Sequence, residues 1–175
     1  MRKKIKKGKL SEIFKRFKIE NISLSTDAAG IEISYTNWDA EAAWLMYVEL
    51  LTRITTQPLT KNFGDEATAL ESIHNLFQIT RDILKNYGRN AASFTKIAII
   101  ILNQKVRPFT SKWHKLSAEK AFDYPKKCEI FRKELELLRH DLISYTKILA
   151  EMANVEDLTY ISFEYEVNQS RSTIE

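Results

Sequence analysis

The sequence predicts a mainly α protein: an antiparallel four-helix bundle with a small antiparallel β-sheet formed by an N-terminal hairpin and a C-terminal strand. Only 4 Gly and 3 Pro occur in 175 residues, whereas 44% of the residues are hydrophobic and 29% are charged. This composition favours long helices over folds with many turns. A chain of this length buries one core, so one domain is expected over residues 19–167, between a basic amphipathic arm (1–18) and a frayed tail (168–175).

Three short strands are predicted, two near the start of the chain and one near its end. Residues 22–36 hold two alternating runs around Asp27-Ala28-Ala29-Gly30, which indicates a β-hairpin. A lone hairpin is marginal in water, so a third strand is expected to pair with it where the termini meet. The apolar residues that alternate along this third strand are Ile161, Phe163, Tyr165 and Val167.

Four helices are predicted between these strands, because apolar residues recur there with helical spacing. The first begins at Asn37 or Asp39, ends at Pro58 and carries Trp44, Tyr47 and Val48 on its inward face. The third is apolar all round over residues 97–102, so it is expected in the middle of the molecule. The second, third and fourth helices are predicted from Asp65 to Gly88, from Ser93 to Pro108, and from Pro125 to about Ala153.

The net charge of +4 is concentrated at the ends of the chain. Residues 1–18 hold nine Lys or Arg against one acid, residues 19–153 are electroneutral, and residues 154–175 are acidic. A basic terminal segment attracts polyanions by releasing their counterions. The arm is therefore predicted to contact a nucleic acid or an acidic protein, with docking on the protein's own body or on an anionic membrane surface as alternatives. Its predicted contact residues are Lys3, Lys4, Lys6 and Lys7.

A second basic stretch extends from Lys105 to Lys127, where seven basic residues accompany two acids. Trp113 lies among them, and basic residues interleaved with an aromatic ring are typical of single-stranded nucleic-acid sites. We expect a non-enzymatic binding module that uses this face. The alternative is a Pro-kinked helix in which Arg107 and Trp113 serve packing. The predicted polyanion-binding residues here are Lys105, Arg107, Lys112, Trp113 and Lys115.

Few residues support other chemistry. Cys128 cannot form an internal disulfide, and no apolar run reaches the roughly 18 residues of a membrane span, which favours a cytoplasmic protein. A helix N-terminus could lower the thiol pKa of Cys128, although a packing role is the simpler interpretation. Glu71 and His74 have the spacing of a di-iron motif, but the further ligands are missing, so no metal and no cofactor are predicted.

Arg107 and His114 lie seven residues apart, so on a helix they project from nearly the same face. In a four-helix bundle this pair resembles the motif of HEPN ribonucleases, with Pro108 in place of the polar residue that usually follows the arginine. The resemblance implies a dimeric, metal-independent ribonuclease. In it His114 would act as acid and base, and Arg107 would stabilise the phosphate.

Several blocks within residues 40–116 resemble a family of small, uncharacterised bacterial helical proteins. This resemblance implies a bacterial cytoplasmic protein and no particular reaction. A structural adaptor subunit of a larger assembly is therefore a further alternative. A homodimer is another, because flat bundle faces often pair, although no heptad seam specifies one. The blocks include Ala42-Ala43-Trp44, Ala69-Leu70-Glu71-Ser72-Ile73, Arg107-Pro108-Phe109 and Lys112-Trp113-His114.

Overall fold

The computed structural model of this chain describes residues 8–9, 32–33, 35–53, 58–59 and 64–161. This part is about 84% helical, which confirms the mainly α prediction. Its helices are linked by a 3-10 turn at Gly88–Ala91, a π-helical turn at Leu102–Val106 and a second 3-10 turn at Ala121–Asp123. The helices are α1 (Asn37–Leu51), α2 (Glu66–His74), α3 (Leu76–Tyr87), α4 (Ala92–Ile101), α5 (Arg107–Ala118) and α6 (Pro125–Ala153).

The predicted antiparallel four-helix bundle is wrong. Asn75 divides the second predicted helix into α2 and α3, and the third predicted helix continues past Pro108 into α5. α1 packs along α6 and also contacts α3 and α4, whereas α2 packs against α5. Hydrophobic periodicity indicates which face of a helix is buried. It does not show where a helix is interrupted or which neighbour covers that face.

The predicted small sheet is also wrong. The described residues contain one pair of antiparallel strands, β1 (Gly8–Lys9) and β2 (Glu32–Ile33), and each strand is two residues long. Ile161, the first residue of the predicted C-terminal strand, is helical and follows a turn at residues 159–160, and its amide donates to Leu158 O. A two-residue pairing is too short to bury an apolar face. Tyr35, in the predicted hairpin, is not in a strand, and residues 22–31, 34 and 162–167 of the predicted strands lie outside the described residues.

The third predicted helix does not stop at Pro108. Proline inside a helix lacks an amide hydrogen, and its ring collides with the carbonyl one turn earlier. The π-helical turn at Leu102–Val106 widens the backbone just before the proline and relieves this conflict. At this turn the Arg107 amide donates to Leu102 O, five residues back. The chain therefore stays helical, and Pro108 falls in the first turn of α5.

Two helices differ from prediction in what they bury. Trp44 and Val48 on α1 are 43% and 37% exposed, although the sequence places them on its inward face. Ile99 on α4 is 44% exposed, so the apolar run there is not enclosed on every side. Apolar residues surround most of the circumference of both helices, so periodicity alone does not select the buried face. The buried residues of α1 are Asp39, Ala42, Ala43, Met46, Tyr47 and Leu50.

Tyr47 on α1 forms hydrogen bonds with the segment that follows α6. Its buried hydroxyl donates to Glu156 O at 2.7 Å and accepts from the Leu158 amide at 2.9 Å. Burial raises the pKa of Tyr47 above its ordinary value of 10.0, and the hydrogen bond from the Leu158 amide opposes this rise. The folded state therefore favours the neutral phenol of Tyr47 over the phenolate.

Tyr47→Phe is expected to lower the free energy of unfolding by about 1 to 2 kcal/mol at pH 8, because both backbone groups lose their partner. The difference from wild type should shrink above pH 10, since the unfolded wild-type tyrosine ionises before the folded one. Urea unfolding at pH 8 and at higher pH measures both effects. Tyr124→Phe is the control, because Tyr124 is 63% exposed. A difference that does not change with pH would contradict this account.

Candidate functional site

Two polar helix faces meet where α2 packs against α5. The α5 residues follow helical spacing, and the facing residues do the same across the break at Asn75. They enclose a pocket of about 170 Å³, called here the arginine–histidine pocket. Its lining consists of His74 from α2, Phe77 and Arg81 from α3, and Arg107, Thr110, Ser111 and His114 from α5.

The two arginines of the pocket have neutral hydrogen-bond partners. Arg107 Nε donates to Asn103 Oδ1 at 3.0 Å, and Arg81 Nη2 donates to Gln78 Oε1 at 2.9 Å. The Arg107 Cζ also lies 5.0 Å from the centre of the Phe77 ring, which holds the guanidinium over an aromatic face. Within the described part of the chain, neither arginine forms an ion pair and no carboxylate lines the pocket. Both charges are therefore free to attract an anion.

The two histidines of the pocket are in contact. The rings of His74 and His114 meet edge to face, with their centres 4.7 Å apart and an interplanar angle of 86°. His114 is half-buried, and its Nε2 has no hydrogen-bond partner among the described residues. Buried ring nitrogens are normally hydrogen-bonded. His114 Nε2 is therefore a buried polar atom beside this pocket without a partner among the described residues.

Trp113 lies in the core and not on a surface. Its side chain is 0% exposed, and its indole nitrogen donates to Glu134 Oε2 at 2.9 Å. Phe122 stacks on the ring at 5.9 Å, and Phe131 meets it edge to face at 5.0 Å. The prediction of Trp113 as a stacking surface for bases is therefore wrong, because protein atoms cover the ring.

The basic face from Lys105 to Lys127 is partly neutralised by α6. Lys105 pairs with Asp141 at 3.2 Å, and Lys112 pairs with Glu134. Lys115 is exposed and follows His114 directly. Lys3, Lys4, Lys6 and Lys7 of the predicted arm lie outside the described residues.

The pocket joins two predicted residues to others that the sequence analysis did not select. Arg107 and His114 both line it, as their helical spacing allows. The sequence pattern around His74 indicates only a metal motif with Glu71, and no motif singles out Arg81 or Ser111. Their helical spacing is visible in the sequence, but the meeting of α2 and α3 with α5 is not. In the described ranges, no three His, Cys, Asp or Glu side chains group as metal ligands.

Two titratable groups on α6, outside the pocket, have altered pKa values. Burial raises the pKa of the Cys128 thiol, so its place in the first turn of α6 does not activate it. Hydrogen bonds from Arg139 lower the pKa of Glu136, and the nearby charges of Arg139 and His140 add to this effect. These groups serve structure, and the chemistry of the pocket comes from its own cations.

Comparison with other proteins leaves the pocket as the main guide to function. No helix of the described chain combines the length and hydropathy needed to cross a membrane. No family model matches the sequence, and no curated protein or solved structure is significantly similar to it. The resemblances to a bacterial helical family and to HEPN ribonucleases therefore stay predictions.

Proposed function

We propose that this protein is a non-enzymatic module that binds a nucleic acid, and that the arginine–histidine pocket holds one of its phosphates. The observation that carries the proposal is the pair Arg81 and Arg107, which share a pocket without a carboxylate. Guanidinium groups bind phosphate oxygens through paired, charge-assisted hydrogen bonds. His74 and His114 add two further groups that can donate a hydrogen bond to an anion.

The pocket supports phosphate binding better than the lysine face does. A phosphate at Lys105 or Lys112 would have to compete with Asp141 or Glu134. A phosphate in the pocket would displace at most hydrogen bonds to neutral amides. Lys115 extends the positive surface beyond His114, and the basic arm would add attraction that does not depend on base sequence. The bacterial cytoplasm is the compartment that this proposal assumes.

Replacing both arginines in Arg81→Gln/Arg107→Gln is expected to weaken binding to single-stranded RNA or DNA by about tenfold or more, because two charge-assisted contacts are lost. Fluorescence anisotropy with the full chain measures this, in a salt series that begins near 50 mM. Lys133→Gln/Lys147→Gln is the matched control. It removes the same charge from exposed residues that do not line the pocket.

Comparison with the control variant shows whether the ligand binds at the pocket or is attracted only by the net charge of the protein. An equal loss of affinity in both variants would mean that net charge alone attracts the ligand. Anionic vesicles are tested in parallel, and binding to vesicles without binding to nucleic acid would assign the protein to a membrane surface. No binding to RNA, DNA or vesicles near 50 mM salt would refute the proposal.

A metal-independent ribonuclease is the second candidate function, favoured by the contact between His74 and His114 beside Arg107. One imidazole would take the proton of the RNA 2′-hydroxyl as its oxygen bonds to phosphorus. The other, as imidazolium, would give a proton to the 5′-oxygen as its bond to phosphorus breaks. Arg107 would balance the charge that builds on the phosphate. The product would be a 2′,3′-cyclic phosphate.

The same protein preparations separate the two functions. A ribonuclease would cleave RNA in the presence of a chelator, leave DNA intact, and lose activity in His114→Gln. His140→Gln is the control, because His140 is exposed and lies outside the pocket. RNA that is bound and stays intact would indicate a binding module. A stable complex with a defined partner protein would favour the adaptor alternative.

A further inference from the structure

We infer that the arginine–histidine pocket receives the terminal phosphate monoester of a nucleic-acid chain, and not a phosphate from its interior. The inference rests on the proposed function and narrows it to one chemical group. Three properties of the pocket support it: its volume, its charge, and the restrained position of Arg107.

The volume of the pocket suits one phosphate group and the edge of its sugar. Pockets that enclose a whole small molecule usually measure about 300 Å³ or more, and this one measures about 170 Å³. An interior phosphodiester carries a nucleotide on each side, so two chain directions would have to leave the pocket. A terminal phosphate needs only one. A small concave site therefore favours a chain end.

The charge of the pocket matches a dianion. A phosphate monoester carries about −1.5 to −2 charges at neutral pH, whereas a backbone diester carries only one. Arg81 and Arg107 supply two positive charges, and no acid among the lining residues offsets them. A monoester also has three terminal oxygens where a diester has two. The additional oxygen gives the terminal nitrogens of the two arginines one more acceptor.

One donor of the pocket, Arg107, is restrained before a ligand arrives. Asn103 fixes Arg107 through Nε, and the Phe77 ring lies beneath its guanidinium carbon. This leaves the two terminal nitrogens of Arg107 without another partner among the described residues. Side chains that are ordered in advance lose less entropy on binding. The arrangement therefore favours a small, compact anion.

A nucleic acid fits this site better than a phosphopeptide does. The chain beyond the terminal phosphate would pass exposed Lys115, and the +8 arm would attract the remaining phosphates. Those cations match a ligand that is negative along its whole length. A phosphopeptide would offer one phosphate and no regular charge beyond it.

The test measures binding of the full chain to one short single-stranded RNA made with a 5′-phosphate, with a 3′-phosphate, or with hydroxyls at both ends. Anisotropy is recorded at about 150 mM salt. At least one phosphorylated RNA is expected to bind about tenfold more tightly than the unphosphorylated RNA. Arg107→Gln should remove this preference and Arg107→Lys should reduce it, whereas Lys133→Gln should retain it. Circular dichroism confirms that each variant is folded.

Each alternative result has a separate meaning. Equal affinity for all three RNAs would overturn the terminal-phosphate inference and leave nucleic-acid binding intact. No binding to any of them would overturn both. Inorganic phosphate that competes as well as the phosphorylated RNA would show a site for the free anion. A phosphopeptide that competes equally well would overturn the assignment to nucleic acid.

Discussion

Trp113→Ala is expected to lower the free energy of unfolding by about 3 to 5 kcal/mol, the range for truncating a fully buried large aromatic residue. The substitution would leave a cavity beside Phe122 and Phe131, which both contact the indole ring. It would also remove the hydrogen bond to Glu134. Chemical denaturation followed by circular dichroism measures the loss.

Two further variants identify the cause of this loss. Trp113→Phe keeps an aromatic ring but removes the donor to Glu134, so its cost should be intermediate. Trp38→Ala removes a tryptophan that is 52% exposed and should change stability by about 1 kcal/mol or less. Unchanged stability in Trp113→Ala, together with weaker RNA binding, would mean that the ring is an exposed stacking surface after all.

Asp39→Ala is expected to cost about 3 kcal/mol or more, because one buried carboxylate serves two helices. Asp39 Oδ2 accepts from the amide and the hydroxyl of Thr36 at 2.9 and 2.8 Å, and this caps α1. Its Oδ1 accepts from the amide of Phe94 at 2.9 Å, in the first turn of α4. Alanine would leave the Phe94 amide buried without a partner. Thermal and urea unfolding measure the effect.

A second substitution separates the contribution of the Asp39 charge to stability from the contribution of its hydrogen bonds. Asp39→Asn keeps one acceptor oxygen but turns an amide group toward one set of donors, so its cost should lie between those of wild type and alanine. Glu41→Ala is the control, since Glu41 is an exposed acid on the same helix. A loss in Glu41→Ala equal to that in Asp39→Ala would contradict the interpretation.

The starts and ends of several helices follow directly from the sequence. Asp65 caps α2, its side chain accepts from the Thr68 amide, and this hydrogen bonding lowers the pKa of Asp65. Pro125 lies in the first turn of α6, and Gly88 follows α3 with a φ of +55°. These capping signals act over three or four residues, so they can be predicted from the sequence without knowledge of tertiary contacts.

The candidate site shows where such local information ends. The spacing of Arg107 and His114 is a property of one helix, and both residues line the pocket. Arg81 and His74 reach the pocket from helices more than 25 residues earlier, and no local pattern indicates that α2 would pack on α5. Trp113 shows the converse, because it lies between Lys112 and His114 in sequence yet points into the core. Neighbouring residues on a helix are about 100° apart, so a basic context does not place an aromatic ring at the surface.

The amino-acid sequence alone is enough to establish that this protein is mainly helical and that Arg107 and His114 share a helix face. It also determined that the charge is concentrated at the ends of the chain. Composition, helical spacing and capping residues are sufficient for these conclusions because they act locally. Three features come from helix packing: the chain is not a simple four-helix bundle, Trp113 is buried, and four cationic or titratable side chains converge on one pocket. Those features depend on which helix faces bury each other, and many pairings bury similar apolar area, so no local pattern selects among them.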